Sequence, residues 1–174
     1  MASRNILDTL KKEHDELRGL FDKMDDTTDR ALKTREQLLH DIEANLLPHA
    51  KWEETVFYPA FAARADRDGL KTHAEAVCEH KAVEQTVIPE VKAAAFDTPE
   101  FAGRVKVFSE LIDHHATEEE TTMFKMARAM FSAEELAQFD EDYEMWKTSP
   151  AGEAVVAAEK SKAGVKGAVR SMLS

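Results

Sequence analysis

The 174-residue chain is short of cysteine, glycine and extended apolar sequence, and each shortage removes a class of protein. Its one cysteine, Cys78, excludes an internal disulfide and any CxxC zinc or redox motif. It fits a reducing compartment, so a cytoplasmic location is expected. There are only six glycines, three of them beyond residue 149, and neither GxGxxG nor GxxxxGKS occurs. Nucleotide-loop enzymes therefore have no support. No apolar run approaches the roughly 18 residues of a membrane span. The opening Met-Ala-Ser-Arg-Asn leads straight into an amphipathic pattern rather than a signal-peptide core. Positive charge is scarce as well: 23 Lys+Arg against 34 Asp+Glu leave a net charge of −11. Phosphate backbones repel such a chain, so neither nucleic acid nor a membrane is expected as a partner. With 43% hydrophobic and 33% charged residues, the remainder reads as one soluble globular domain.

What is present is helical periodicity, with no strand alternation. A first helix over about residues 4–24 carries Leu7, Leu10, His14, Leu17, Phe21 and Met24 at strict 3-4-3-4-3 spacing. Asp25-Asp26-Thr27-Thr28 breaks the pattern and offers an N-cap for a second helix, which runs to about residue 65. Its inward face is Leu38, Ile42, Leu46, His49, Glu53, Val56 and Ala60, and Pro48 and Pro59 predict a kink or bulge. A third helix over about residues 70–95 turns Val77, His80, Val83 or Glu84, Val87 and Val91 inward. A fourth, restarted by Thr98-Pro99, runs to about residue 131 with Val105, Phe108, Ile112, His115, Glu119, Met123 and Met126 inward. Ser132 and Glu135 form a capping box for a short fifth helix to about residue 147. The expected fold is all-α: an antiparallel up-and-down four-helix bundle with a short fifth helix over residues 1–149. Residues 150–174 carry four basic and two acidic residues, so this stretch is +2 and the rest −13. They form a C-terminal tail, loosely helical or disordered.

The bundle repeats itself at an offset of 66. Glu13-His14 becomes Glu79-His80, and His49-Ala-Lys-Trp-Glu-Glu-Thr becomes His115-Ala-Thr-Glu-Glu-Glu-Thr, with five of seven residues matching. Each half is thus one helix with an inward histidine followed by one with His-x-x-x-Glu. Residues i and i+4 stack on one helix face, so His49 points with Glu53 and His115 with Glu119. Imidazole and carboxylate donors suit iron, manganese or zinc. A lone inward histidine is usually a hydrogen-bonded core residue. Four of them in register, two with a partnering glutamate, are not explained that way. Burying Glu53 and Glu119 without cations costs several kcal/mol each.

This H…HxxxE…H…HxxxE order over about residues 6–130 resembles the hemerythrin-like family, or HHE cation-binding domains. The resemblance implies a four-helix bundle around two iron ions in an oxo- or hydroxo-bridged di-iron centre. Carried over, the metal ligands are His14, His49, Glu53, His80, His115 and Glu119, with both glutamates bridging. Two positions depart from the oxygen carriers. Those have a second histidine four residues from the third-helix ligand, where this chain has Glu84 on one side and Ala76 on the other. Their last acidic ligand lies five residues after the last histidine, at Glu120, whereas the repeat selects Glu119.

Glu84 shares the His80 face about 6 Å along the axis, at 1.5 Å per residue, against about 10.5 Å for His73. Glu84 is therefore a candidate seventh metal ligand, or else a salt-bridge partner of Arg18, its equivalent in the other half. His40 reads as an exposed helix residue, His114 as a surface residue or one that backs the ligands, and Cys78 as a buried, inert thiol. The implied partner is a small diatomic or peroxide ligand. A coordination set richer in carboxylate stabilises ferric iron, which favours a redox role, such as peroxide decomposition or sensing of oxygen or nitric oxide, over oxygen transport. The rival readings are a structural metal site in a non-catalytic binding protein and a partner module using the tail.

Overall fold

The computed structural model describes the backbone of residues 4–173 and the side chains of residues 4–162. All regular structure among them is helical: α1 (Ile6–Asp25), α2 (Leu32–Trp52), α3 (Tyr58–Arg64), α4 (Arg67–Ala82), α5 (Ile88–Ala93), α6 (Pro99–Glu118), α7 (Phe124–Met130), α8 (Ala133–Lys147) and α9 (Pro150–Leu173). Three π-helical segments, Glu53–Phe57, Val83–Val87 and Glu119–Met123, join α2 to α3, α4 to α5 and α6 to α7 without a turn. The result is four long rods: α1, α2–α3, α4–α5 and α6–α7. Short connections force them to run antiparallel.

The ends are set locally. The Asn5 side chain accepts from the Leu7 and Asp8 amides, Asp66 from Gly69, and Thr98 from Phe101, ahead of Pro99. Ser132 and Glu135 form the expected reciprocal box. The second helix differs from expectation. It starts at Leu32 with no side-chain cap, because Thr27 donates to the Met24 carbonyl and accepts from the buried Arg35 instead.

The π segments shift the phase of the inward face. One extra residue per turn rotates everything downstream by about one position. Hence Phe57 and Phe61 are buried where Val56 and Ala60 were expected, and Ala127 where Met126 was expected. Ahead of Pro59 and Pro89 the widened turn relieves the clash of the ring with the preceding carbonyl. The third segment has no proline and shares only its Glu-Glu-Thr start with the first. Pro48, by contrast, sits inside α2 without interrupting it. On the third rod Ala76 is buried and Val77 exposed, correcting the expected face by one residue.

Two apolar clusters fill the bundle. One contains Leu17, Phe21, Ile42, Val91 and Phe108, and the other Leu7, Leu10, Phe57, Phe61 and Phe124. In each rod the inward histidine lies between them in sequence. α8 packs on α1, and α9 lies along α5 and α2. The α8–α9 corner depends on Gly152, where a Cβ would come within 2.1 Å of the Trp146 carbonyl oxygen. Gly152→Ala is expected to loosen α9 and leave the rods intact. Amide exchange should quicken severalfold over residues 150–162 while that of α1 and α6 is unchanged. Unaltered exchange in α9 would contradict the close packing at this corner.

Candidate metal centre

His14, His49, Glu53, His80, His115 and Glu119 are all buried and converge between the two apolar clusters. Their donor atoms fall into two groups, His14–His49–Glu53–Glu119 and Glu53–His80–His115, each with all donors within 4.8 Å of one another. Glu53 belongs to both. His14 and His49 approach Nε2 to Nε2 at 3.2 Å, and His80 and His115 at 2.9 Å. Glu119 Oε2 lies 3.2 Å from His14 Nε2 and 3.7 Å from His115 Nε2. Glu53 Oε1 lies 3.2 Å from His49 Nε2, and Oε2 lies 3.5 Å from His80 Nε2.

The outward nitrogens explain why the inward ones are free. His49 Nδ1 donates to Glu13 (2.9 Å) and His115 Nδ1 to Glu79 (2.7 Å). His14 Nδ1 donates to Glu120 and His80 Nδ1 to Glu54, both at 3.1 Å. A carboxylate only accepts, so each Nδ1 must carry the proton. These pairs obey the repeat: Glu13–His49 maps onto Glu79–His115, and Glu54–His80 maps onto Glu120–His14 with the halves exchanged. Cations back three of the four carboxylates: Lys147 on Glu13 (3.0 Å), Lys51 on Glu54 (2.7 Å) and Arg18 on Glu120 (2.8 Å). Tyr143 also donates to Glu13 at 2.8 Å, so α8 braces His49 from outside the bundle.

With Nδ1 engaged outward, each ring turns its Nε2 toward the other Nε2 atoms and toward carboxylate oxygens. Both oxygens of the fully buried Glu53, and Glu119 Oε2, have no hydrogen-bond donor. Acceptors facing acceptors in a dry interior repel unless a cation stands between them. The donor set fits bound metal on this ground.

Tyr58, which the ligand pattern does not single out, also belongs to the site. Its hydroxyl donates to Glu119 Oε1 at 2.7 Å and lies 3.2 and 3.4 Å from His80 and His115 Nε2. Its repeat partner is Phe124, which stacks on His14 at a centroid distance of 6.0 Å. The two halves thus differ beside the donors: a phenol next to one histidine pair, a phenyl next to the other. The 66-residue alignment pairs Tyr58 with Phe124 and held this signal. What hid it was the π segment, which makes the step from Glu53 to the next residue facing the donors five rather than four.

Glu84 does not join the cluster. It is a member of neither donor group, and its Oε1 lies 2.6 Å from Lys51 Nζ. Nor does it meet Arg18, which binds Asp113 (2.7 Å) and Glu120. The nearer cation on α2 captured it. Burial, then Glu54 and Glu159, push the Glu84 carboxyl above the usual range. His40 and His114 are exposed, the latter 3.4 Å from Glu79. His73 meets the edge of Tyr58 and reaches no donor group. Cys78 is exposed, not buried, because His80 and Ala76 take the inward face of α4.

Burial alone would lower the histidines. Glu53 and Glu13 outweigh it at His49, and Glu119 and Glu79 outweigh it at His115, so both lie above the ordinary imidazole range. Burial also pushes Glu13 up, but His49 and Lys147 hold it down at about 2. Hydrogen bonds from His14 and then Arg18 hold Glu120 at about 2. Burial, with Glu119 and Glu53, raises the Tyr58 hydroxyl well above its usual range.

A four-rod bundle with a buried histidine donor from every rod and a carboxylate donor from two of them is a bundle-core metal-binding domain. Residues 5–127 match the hemerythrin HHE cation binding domain, and the chain belongs to that family. Its fold is shared with the crystal structure of a hemerythrin HHE cation binding domain-containing protein from Mycobacterium kansasii. That similarity has a TM-score of 0.71 at 22% identity and covers 90% of this chain and 99% of the other. A curated relative, a DNA nickase of Nostoc sp., is 24% identical over 147 residues, 83% of this chain but only 39% of the relative. The chain thus spans about two fifths of that protein's length. No helix among the described residues is long and apolar enough to cross a membrane.

Two outcomes are expected. Glu13→Gln and Glu79→Gln should each weaken metal affinity about 10- to 100-fold, the usual cost of losing a carboxylate behind a ligating histidine. Competition with a chromophoric chelator measures this, with Glu16→Gln as an unchanged control. Metal loading at pH 7 should also release protons, because His49 and His115 hold extra protons in the metal-free protein and must lose them to coordinate. Affinity therefore rises with pH. Calorimetry in buffers of different ionisation enthalpy would contradict this by returning zero released protons.

Proposed function

We propose that the chain holds two iron ions in a di-iron centre and uses them in redox chemistry on a small ligand: oxygen, peroxide or nitric oxide. His14, His49 and Glu119 would hold one ion and His80 and His115 the other, with Glu53, a member of both donor groups, available to each. Glu119 has one oxygen toward the first group and the other held by Tyr58. The observation that carries the reading is the set of four inward Nε2 atoms facing donorless carboxylate oxygens. Bound iron supplies one-electron redox chemistry and an open coordination position for the ligand.

The chain's residues do the rest. Glu13, Glu54, Glu79 and Glu120 fix each imidazole in one tautomer and orientation. Leu17, Leu46, Ile112 and Ala116 exclude bulk water from a cavity of about 20 Å³ against the four histidines, which is room for one water-sized molecule. Tyr58 keeps its proton and holds it at Glu119 Oε1, beside the His80–His115 pair.

Two buried carboxylates beside four imidazoles, with no second histidine on the third rod, make a set richer in hard oxygen donors than the oxygen carriers' set, and such donors favour the ferric state. That supports peroxide decomposition or sensing over reversible oxygen carriage. A net charge of −11 opposes binding to nucleic acid, unlike what the name of the nickase relative says of that protein. A single cysteine suits the reducing cytoplasm.

Metal analysis combined with a near-ultraviolet and visible spectrum, before and after peroxide, tests the proposal. About two irons per chain and absorption that changes on adding peroxide are expected for a dinuclear oxygen-bridged centre. Full occupancy by spectroscopically silent zinc would overturn the redox role and leave a structural metal.

A further inference from the structure

The cavity against the four histidines shares a wall with a second, larger one. The outer cavity, about 300 Å³, lies under α9, where Glu159 and Lys162 of that helix face Lys51 and Gln85. Leu47, Glu84 and Ile88 line both cavities. These three side chains are the partition. Leu47 and Ile88 are buried hydrocarbons, whereas Glu84 is 19% exposed and pinned by Lys51 at 2.6 Å. The same lysine holds Glu54 at 2.7 Å, and Glu54 holds His80. Two other surface cavities, one at Arg4–Lys147 and one at Phe21–Glu110, share no wall residue with the inner one.

We propose that the outer cavity is the port through which the small ligand reaches the centre, with the Glu84–Lys51 pair as its gate and α9 as its roof. This rests on the metal-centre reading above. Charge and size name the class of ligand admitted. The port carries two ammonium groups, Lys51 and Lys162, and two carboxylates, Glu84 and Glu159, so it offers no net attraction to an anion. The inner cavity admits a molecule of about water's size. A neutral molecule of about two heavy atoms, such as hydrogen peroxide, oxygen or nitric oxide, satisfies both. Glu84, which the spacing placed beside the histidines but which binds no member of the cluster, thereby acquires a role: it controls access rather than coordination.

The test is the association rate of nitric oxide with the full-length, ferrous-loaded protein, followed by stopped-flow absorbance without oxygen. Glu84→Ala removes the gate and should speed association about three- to tenfold, while Gln85→Trp fills the mouth and should slow it similarly. Gln85 is exposed, so the tryptophan burdens no packed core. Gly152→Ala, which loosens the roof, should speed association as well. Lys106→Trp, on the rim of an unconnected cavity, is the control. Metal content and the final nitrosyl spectrum should match wild type in all four. Rates within twofold of wild type in both Glu84→Ala and Gln85→Trp would overturn the port while leaving the metal centre standing. A wild-type protein that loads iron but never binds nitric oxide, or that loads none, would instead overturn the metal-centre reading, and the port with it.

Discussion

The structure turns on a surplus of acceptors in a dry interior. Four imidazoles give their Nδ1 protons to carboxylates behind them and leave four Nε2 lone pairs pointing inward. Into the same space come Glu53, both of whose oxygens lack donors, and one oxygen of Glu119. Metal-free, the chain can relieve this only with protons, which is why His49 and His115 stand above the ordinary imidazole range. Metal cations relieve it more completely. The histidines themselves, helped by Lys147, Lys51 and Arg18 at three of the four, hold the supporting carboxylates below their usual range.

The bundle is arranged around that demand. Two apolar clusters flank the donors along the rods and keep water away, so each electrostatic interaction acts at low dielectric. The π segments that begin at Glu53 and Glu119 spend an extra residue where each glutamate enters the site. The rephased face then presents Tyr58 in one half and Phe124 in the other. A nearly two-fold frame therefore carries an asymmetric interior, and the second donor group has a phenol where the first has a stacked phenyl ring.

Much of this was legible in the sequence, for a physical reason. Helical periodicity and the 66-residue offset placed His14, His49, Glu53, His80, His115 and Glu119 inward, because metal ligands must lie on the packed face of a rod and so obey its period. Local rules failed where a longer-range contact outbid them. Thr27 was a fair cap until Arg35 engaged it. Glu84 was a fair ligand until Lys51 reached it across α2. Cys78, expected as a buried thiol, is exposed because Ala76 and His80 take the inward face of α4 and nothing covers the opposite one at that position. The phase slip after each π segment cannot be seen in a 3.6-residue period, and with it went Tyr58. The stretch after Pro150, expected as a tail either loosely helical or disordered, is a helix laid over α2 and α5.

The central claim is that two cations belong in the space shared by Glu53. Anomalous diffraction from crystals of the iron-loaded protein, recorded on either side of the iron absorption edge, tests it most directly. Two iron peaks are predicted, one beside His14 and His49 and one beside His80 and His115, with the Glu53 carboxylate between them. A single peak, or iron found only at exposed carboxylates while His49 and Glu53 remain unliganded, would contradict the account.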